Sequence, residues 1–177
     1  MLGRFRRHED VRPRARSLFE AIVGAARNPL FHTRFHVADT VDGRFDLLTL
    51  HVFVAMEALK KRGEAGERIG KELATVTFTM FDEALRELGV SDMGMARRIK
   101  AMANAFYGRL QAYGAAASDA EMEAALLRNL YRGDGARAAE ASVLAHYIQG
   151  TRLKLAAPDG GVALMAGDID FGSVPEL

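Results

Sequence analysis

A chain of 177 residues with 49% hydrophobic side chains is sized for one domain with a real core, and the absence of cysteine excludes disulfides, thiolate metal sites and a cysteine nucleophile. No apolar run approaches the roughly 18 to 20 residues needed to cross a bilayer, and the opening residues hold no hydrophobic secretory segment, so neither an integral nor an exported protein is expected. The net charge is only +1 but unevenly spread: residues 1–16 hold six arginines against Glu9 and Asp10, while residues 159–177 hold four acids and no base.

In chain order, residues 1–16 predict a flexible basic arm. Its Arg4, Arg6, Arg7, Arg12, Arg14 and Arg16 are either a solvated tail or a means of visiting an anionic surface, lipid headgroups or ribosomal RNA. Leu18, Ile22, Ala25 and Ala26 predict a helix that ends near Asn28 and Pro29, because proline disfavours helix in the residue before it. A less regular passage follows, with Asp42-Gly43 as a turn signal. Leu47 to Leu59 is apolar at 10 of 13 positions, the mark of a central buried helix, with Lys60, Lys61 and Arg62 compensating its carbonyl end and Gly63 stopping it.

Ile69, Leu73, Val76, Met80, Ala84 and Leu88 then recur at helical spacing, and Gly89 stops that helix. With Gly89 as the left-handed residue, Val90 and Leu85 take the positions that touch in a Schellman motif. Ser91 is placed to cap the next helix through its hydroxyl, with Asp92 adding charge, and the stripe resumes at Met95, Ile99, Met102, Phe106, Leu110 and Tyr113. This corner between two long helices is expected to organise the rest. Ser118 and Glu121 form a capping box ahead of Met122, Leu126 and Leu130. Gly133 ends that helix, and Ala141, Leu144, Ile148 and Leu155 mark another, broken at Pro158-Asp159-Gly160-Gly161. The expectation is an all-α, single-domain bundle of about six helices at 17–157, followed by an irregular acidic tail at 158–177 that either packs Val162, Leu164 and Phe171 onto the helices or stays mobile.

Catalytic constellations are not found. His32, His36 and Asp39 have spacing for a metal but no second ligand pair, and His51 on the apolar helix reads as a hydrogen-bonded core histidine. Asp82, Glu83 and Glu87 read as a solvated or salt-bridged face, no serine sits in a strained elbow, and no glycine-rich loop is present to cradle a phosphate. No catalytic residue, metal or cofactor is therefore expected. Arg97, Arg98, Lys100 and Arg109 form a basic side. Met80, Met93, Met95 and Met102 gather at the corner and, beside Arg86, Arg97 and Arg109, read either as ordinary core or as a surface for an apolar client.

Several segments in fixed order resemble the ubiquinol–cytochrome c chaperone family: Asp39-Thr40, Gly43-Arg44-Phe45-Asp46, Leu50-His51, Leu85 through Asp92, Phe106-Tyr107-Gly108-Arg109, Ala112-Tyr113 and Asn129-Leu130-Tyr131. The resemblance covers about Ala21 to Gln149 and takes Arg44, Asp46, His51, Gly89, Asp92, Tyr107 and Gly108 as its structural signature. It implies a non-enzymatic assembly factor of the bc1 complex that receives newly made cytochrome b or another bc1 subunit. It further implies contact with the ribosome or an anionic membrane surface, a small partner protein, and a place in the cytoplasm or at the inner face of the membrane. The abundance of arginine and alanine points to a bacterial member. Against it stand a small-molecule enzyme using His51, Glu57 or Arg109 in an internal pocket, and a nucleic-acid-binding helical protein, for which the near-neutral total and the lack of a recognition-helix pattern argue poorly; no specific DNA partner is expected.

Overall fold

The run that is apolar nearly all round becomes the axis of the structure. In a computed structural model that describes residues 10–177, apart from the side chains of Asp92 and Met93, this run is helix α3, Val41–Lys60. It packs against α1 (Arg12–Ala26), α4 (Gly63–Glu87), α5 (Asp92–Ala115), α7 (Ala138–Ala156) and α8 (Pro158–Ala166). The single-turn α2 (Leu30–Thr33) leads into α3, α6 (Asp119–Asn129) pairs with α7, and a 3-10 turn at Gly135–Arg137 joins those two. The described residues contain helices and no strand, as an all-α bundle requires. The organising centre is therefore α3 and not the α4–α5 corner, because only α3 is enclosed by neighbours on nearly all sides, with Leu47, Leu50, Val52, Val54, Ala55 and Leu59 shut from solvent.

α3 begins earlier than its apolar run. Thr40 is its N-cap, with its hydroxyl accepting from the Gly43 amide at 3.1 Å, and Asp42 lies in the first turn, so Asp42-Gly43 opens a helix and does not make a free turn. Gly43 is required there because a β-carbon would sit 1.9 Å from the Ala38 carbonyl oxygen. Arg62, expected to serve the end of α3, also reaches across to the end of α7, donating to the carbonyls of Leu155 (2.7 Å), Ala156 (3.3 Å) and Ala157 (3.4 Å). Its guanidinium fills the space where Gly161 has no side chain.

Helix also extends into both expected ends. α1 starts at Arg12, with the Asp10 carboxylate accepting from the Arg12 amide at 3.1 Å and Ala15 and Leu18 buried, so Arg12, Arg14 and Arg16 belong to the folded body and not to an arm. Arg4, Arg6 and Arg7 lie outside the described residues. At the other end Pro158 starts α8, and Leu164, Ile169 and Phe171 are buried while Val162 is exposed, so much of the acidic tail is a lid on α3 and α7. The Phe171 ring meets the edge of His51 at 4.8 Å, and Lys154 pairs with Asp170.

The corner itself follows the expected geometry. Gly89 has φ +75°, Val90 N donates to Leu85 O at 3.1 Å, and Gly89 N donates to Arg86 O at 2.9 Å. Ser91 occupies the N-cap position with extended backbone, but its side chain makes no capping hydrogen bond. α4 is rotated from the expected stripe: Ile69, Leu73, Thr77, Phe81 and Leu85 face the core, while Met80, Ala84 and Leu88 are exposed. Thr77 can be buried because its hydroxyl donates to Leu73 O at 2.8 Å. In α6 the Ser118 hydroxyl accepts from Glu121 N at 3.3 Å, while Glu121 reaches one residue further back, to Ala117 N at 2.7 Å.

Two stability predictions follow from these placements. Nothing lies within 4 Å of a β-carbon built at Gly89, so Gly89→Ala carries only the backbone cost of positive φ, and about 1 kcal/mol should be lost in urea denaturation. His51, whose Nδ1–H donates to Leu47 O at 2.8 Å, is shut among Phe31, Tyr147 and Phe171, and burial lowers its pKa from 6.5 to about 4. The stability it contributes is present above pH 6.5 and is lost as pH falls toward 4, because the unfolded ring takes up a proton first. His51→Phe should remove about 3 kcal/mol of that acid sensitivity, read as a shallower fall of unfolding free energy across this window.

Candidate functional site

Three helices leave an open groove on one side of the bundle, with a volume of about 780 Å³. It is lined by Met56 of α3, by Lys71, Ala74, Thr75, Phe78, Thr79 and Asp82 of α4, and by Tyr107 of α5. The α4 residues recur at spacings of three and four on the side of that helix away from its buried stripe, so one helix serves the core with one face and the groove with another. Its wall is anchored by a ladder of rings: Phe45 to Phe81 (5.3 Å), Phe81 to Phe78 (5.7 Å), Phe78 to Phe106 (5.2 Å), and Phe78 stacked on Tyr107 at 6.0 Å. Phe106 is fully buried and Tyr107 is 53% exposed, so the ladder runs from the core to the surface.

The residues expected to bind a client do not converge here. Met95 is buried and Met102 half-buried, both on the inward stripe of α5. Met80 is exposed, but nine residues beyond Lys71, at about 100° per residue, it falls on the other side of α4 from the groove. Arg86 bonds Asp82 at 2.8 Å on the surface, Arg97 is exposed, and the Met93 side chain lies outside the described residues. The apolar surface is instead supplied by Met56, Phe78 and Tyr107, with the exposed Leu88 at the corner. Threonines at positions 75 and 79 disguise this seam in the sequence.

The residues of the enzyme reading are held apart. His51 sits in its aromatic box, Glu57 pairs with Arg152 at 2.7 Å, and neither His51 nor Arg109 lines the smaller cavity, of about 180 Å³, that Glu57 borders. His32 donates through Nδ1 to Val37 O at 2.9 Å, while His36, at φ +53°, bonds Glu140 at 3.0 Å. Among the described residues no three His, Cys, Asp or Glu side chains converge to hold a metal.

The signature residues have structural work. Arg44 bonds Asp39 at 2.7 Å across the Thr40 cap, bracing the start of α3. Asp46, fully buried one turn later, meets Arg109 of α5 and Arg132 of the α6–α7 connection, each at 2.7 Å. Burial pushes its carboxyl up to about 6, against the pull of the two guanidiniums. Arg109 also lies over the Phe45 ring at 5.3 Å, so it is committed inward and leaves the set of surface cations. Gly108 is exposed, and a β-carbon there would meet nothing within 4 Å; the packing supplies no reason for it. The Asp92 side chain lies outside the described residues. Removing the shared acid by Asp46→Ala should cost about 3 kcal/mol or more in chemical denaturation, because Arg109 is left nearly buried without a counter-charge. Arg132→Gln, at a half-exposed partner, should cost distinctly less.

Residues 33–171 match the family model described as Ubiquinol-cytochrome C chaperone, a span that takes in α8 and the packed Phe171. The chain is similar to ubiquinol-cytochrome-c reductase complex assembly factor 1 of Xenopus laevis, 22% identical over 141 residues, which are 78% of this chain and 70% of that protein. It is similar to the Mus musculus protein of the same description, 22% identical over 148 residues, 82% of this chain and 50% of that one; the chain thus spans half the length of the mouse relative. Among solved structures it is similar to the crystal structure of the Cbp3 homolog from Brucella abortus, with a TM-score of 0.80 and 38% identity over 92% of this chain and 90% of that one. With residues 33–171 matched, from the last residue of α2 through α8 to Phe171, the chain belongs to the ubiquinol-cytochrome C chaperone family.

Proposed function

We propose that this protein is a non-enzymatic chaperone that binds newly made cytochrome b and supports assembly of the ubiquinol–cytochrome c reductase complex. The observation that carries the reading is the family match together with an open, ring-anchored apolar groove on a bundle whose titratable groups are tied up in structural pairs. A client destined for a membrane offers apolar surface that needs cover before assembly, and the groove presents such cover without exposing the core. Arg86 and Arg97, exposed on the two helices of the corner, are the cations proposed to orient that client. No helix among the described residues is long and apolar enough to cross a membrane, which supports a peripheral mode of action. Arg12 and Arg16, exposed on α1, support contact with an anionic surface at the inner face of the membrane.

The test is a deletion strain of the source organism, complemented with the parent gene or a variant. Loss of the gene should lower spectroscopic cytochrome b and bc1 activity together; normal levels of both would end this reading. Tyr107→Asp should reproduce part of the defect while melting like the parent, since its ring is exposed, whereas Met95→Asp, at a buried position, should lower the melting temperature.

A further inference from the structure

The groove's own hydrogen bonding restricts what can lie in it. Thr75 donates its hydroxyl to Lys71 O at 3.1 Å and Thr79 donates to Thr75 O at 3.0 Å, so both present methyl groups outward. Ala74, Phe78 and Met56 add apolar atoms, and Tyr107 adds a half-exposed ring. Between Lys71 and Asp82 the floor therefore offers no free hydroxyl donor from its threonines and few acceptors, so most amides of an extended peptide would lose water and gain nothing. A helix satisfies its own amides and escapes that cost. The described residues also contain no strand edge onto which an extended segment could be added.

The two ends carry opposite charge. Among the described residues Lys71 has no carboxylate within salt-bridge distance, and Asp82 closes the other end with one oxygen on Arg86. Eleven residues of α4 separate them, about 16 Å, which is the length of three helical turns. A helix dipole fits such a groove best in one direction, with its negative C-terminal end at the ammonium and its positive N-terminal end at the carboxylate.

We propose that the groove receives one apolar helix of about three turns from a membrane-spanning client, laid antiparallel to α4 with its C-terminal end at Lys71 and its N-terminal end at Asp82. This rests on the chaperone reading and adds the shape and direction of what is held. Phe78 and Tyr107, already fixed by the ring ladder, form the wall against which that helix packs, so little side-chain order is lost when it docks.

The experiment titrates the full chain against two fluorescein-labelled Leu/Ala helical peptides of about 14 residues, read by anisotropy. One carries Lys at its N-terminus and Glu at its C-terminus; the other has the two exchanged. The parent should bind the first at least about fivefold tighter than the second, because only the peptide with Glu at its C-terminus and Lys at its N-terminus matches the groove with its end charges and its dipole together. Lys71→Glu, which leaves the same charge at both ends of the groove, should abolish that preference. Thr75→Trp or Thr79→Trp, at exposed positions that fill the groove, should weaken both peptides about tenfold or more with the melting temperature unchanged. Equal affinity of the parent for the two peptides, an undiminished preference in Lys71→Glu, or full binding by a folded Thr75→Trp protein would overturn the proposal. So would concentration-dependent dimerisation in sedimentation that Thr75→Trp abolishes, which would assign the groove to a second copy. A Thr75→Trp gene that restores bc1 assembly fully would remove this site while leaving the chaperone reading standing.

Discussion

A helix enclosed on nearly every side must bring its own polar groups into the interior, and α3 solves this with an acid near each end. Asp46 near the start is met by Arg109 and Arg132, and Glu57 near the finish is met by Arg152, which also donates to Ala116 O and lies over the Phe53 ring. These arginines come from α5, from the α6–α7 connection and from α7, so three later parts of the chain are registered along one axis. Apolar packing alone permits a helix to slide or rotate by a residue; a buried carboxylate between two guanidiniums does not. The same logic accounts for two of the stretches that carry the resemblance, residues 39–51 and 106–113. The first stretch caps and charges α3, while the second delivers Arg109 and Tyr113 to it.

Much of this was legible because local chemistry decided it. The Gly89 corner needs only a residue at positive φ and two backbone bonds, all fixed within six positions, and the apolar run at Leu47 to Leu59 declares a buried helix by composition. The rotation of α4 was not legible. Val76, Met80, Ala84 and Leu88 fit a helical stripe as well as Leu73, Thr77, Phe81 and Leu85 do, and the second set looks worse because it contains Thr77. A threonine that bonds its own helix is apolar to its neighbours, which hydropathy does not register. The tail stayed open between packing and mobility for another reason: Leu164, Ile169 and Phe171 have no period, and their burial comes from a long-range fit onto α3 and α7 that a short window cannot see.

The same masking hid the candidate site. Methionines drew attention to the corner, yet Met95 and Met102 are pointed inward, and the groove is built from Ala74, Thr75, Phe78 and Thr79 between Lys71 and Asp82. Arg109 looked like a surface cation until its partner, 63 positions away in sequence, was placed beside it. Sequence reasoning assigns charge well and assigns direction poorly, because the side of a helix that an arginine takes is decided by which carboxylate is buried nearby.

Placing the groove on α4 has a physical consequence for the proposed holding and release of a client. Its floor belongs to a helix whose opposite side is core, with Ile69, Leu73, Phe81 and Leu85 shut against the bundle, so the floor cannot collapse to hide its apolar atoms when empty. Its wall is fixed by Phe106, fully buried behind Phe78 and Tyr107. An empty groove of this kind stays formed and hydrated, and the gain on binding comes from releasing that water without reorganising the bundle. For the proposed client, the open shape and threonine side chains in place of larger ones favour modest affinity. Those features suit temporary shelter better than a permanent interface, whose buried area is larger and closed by a continuous rim.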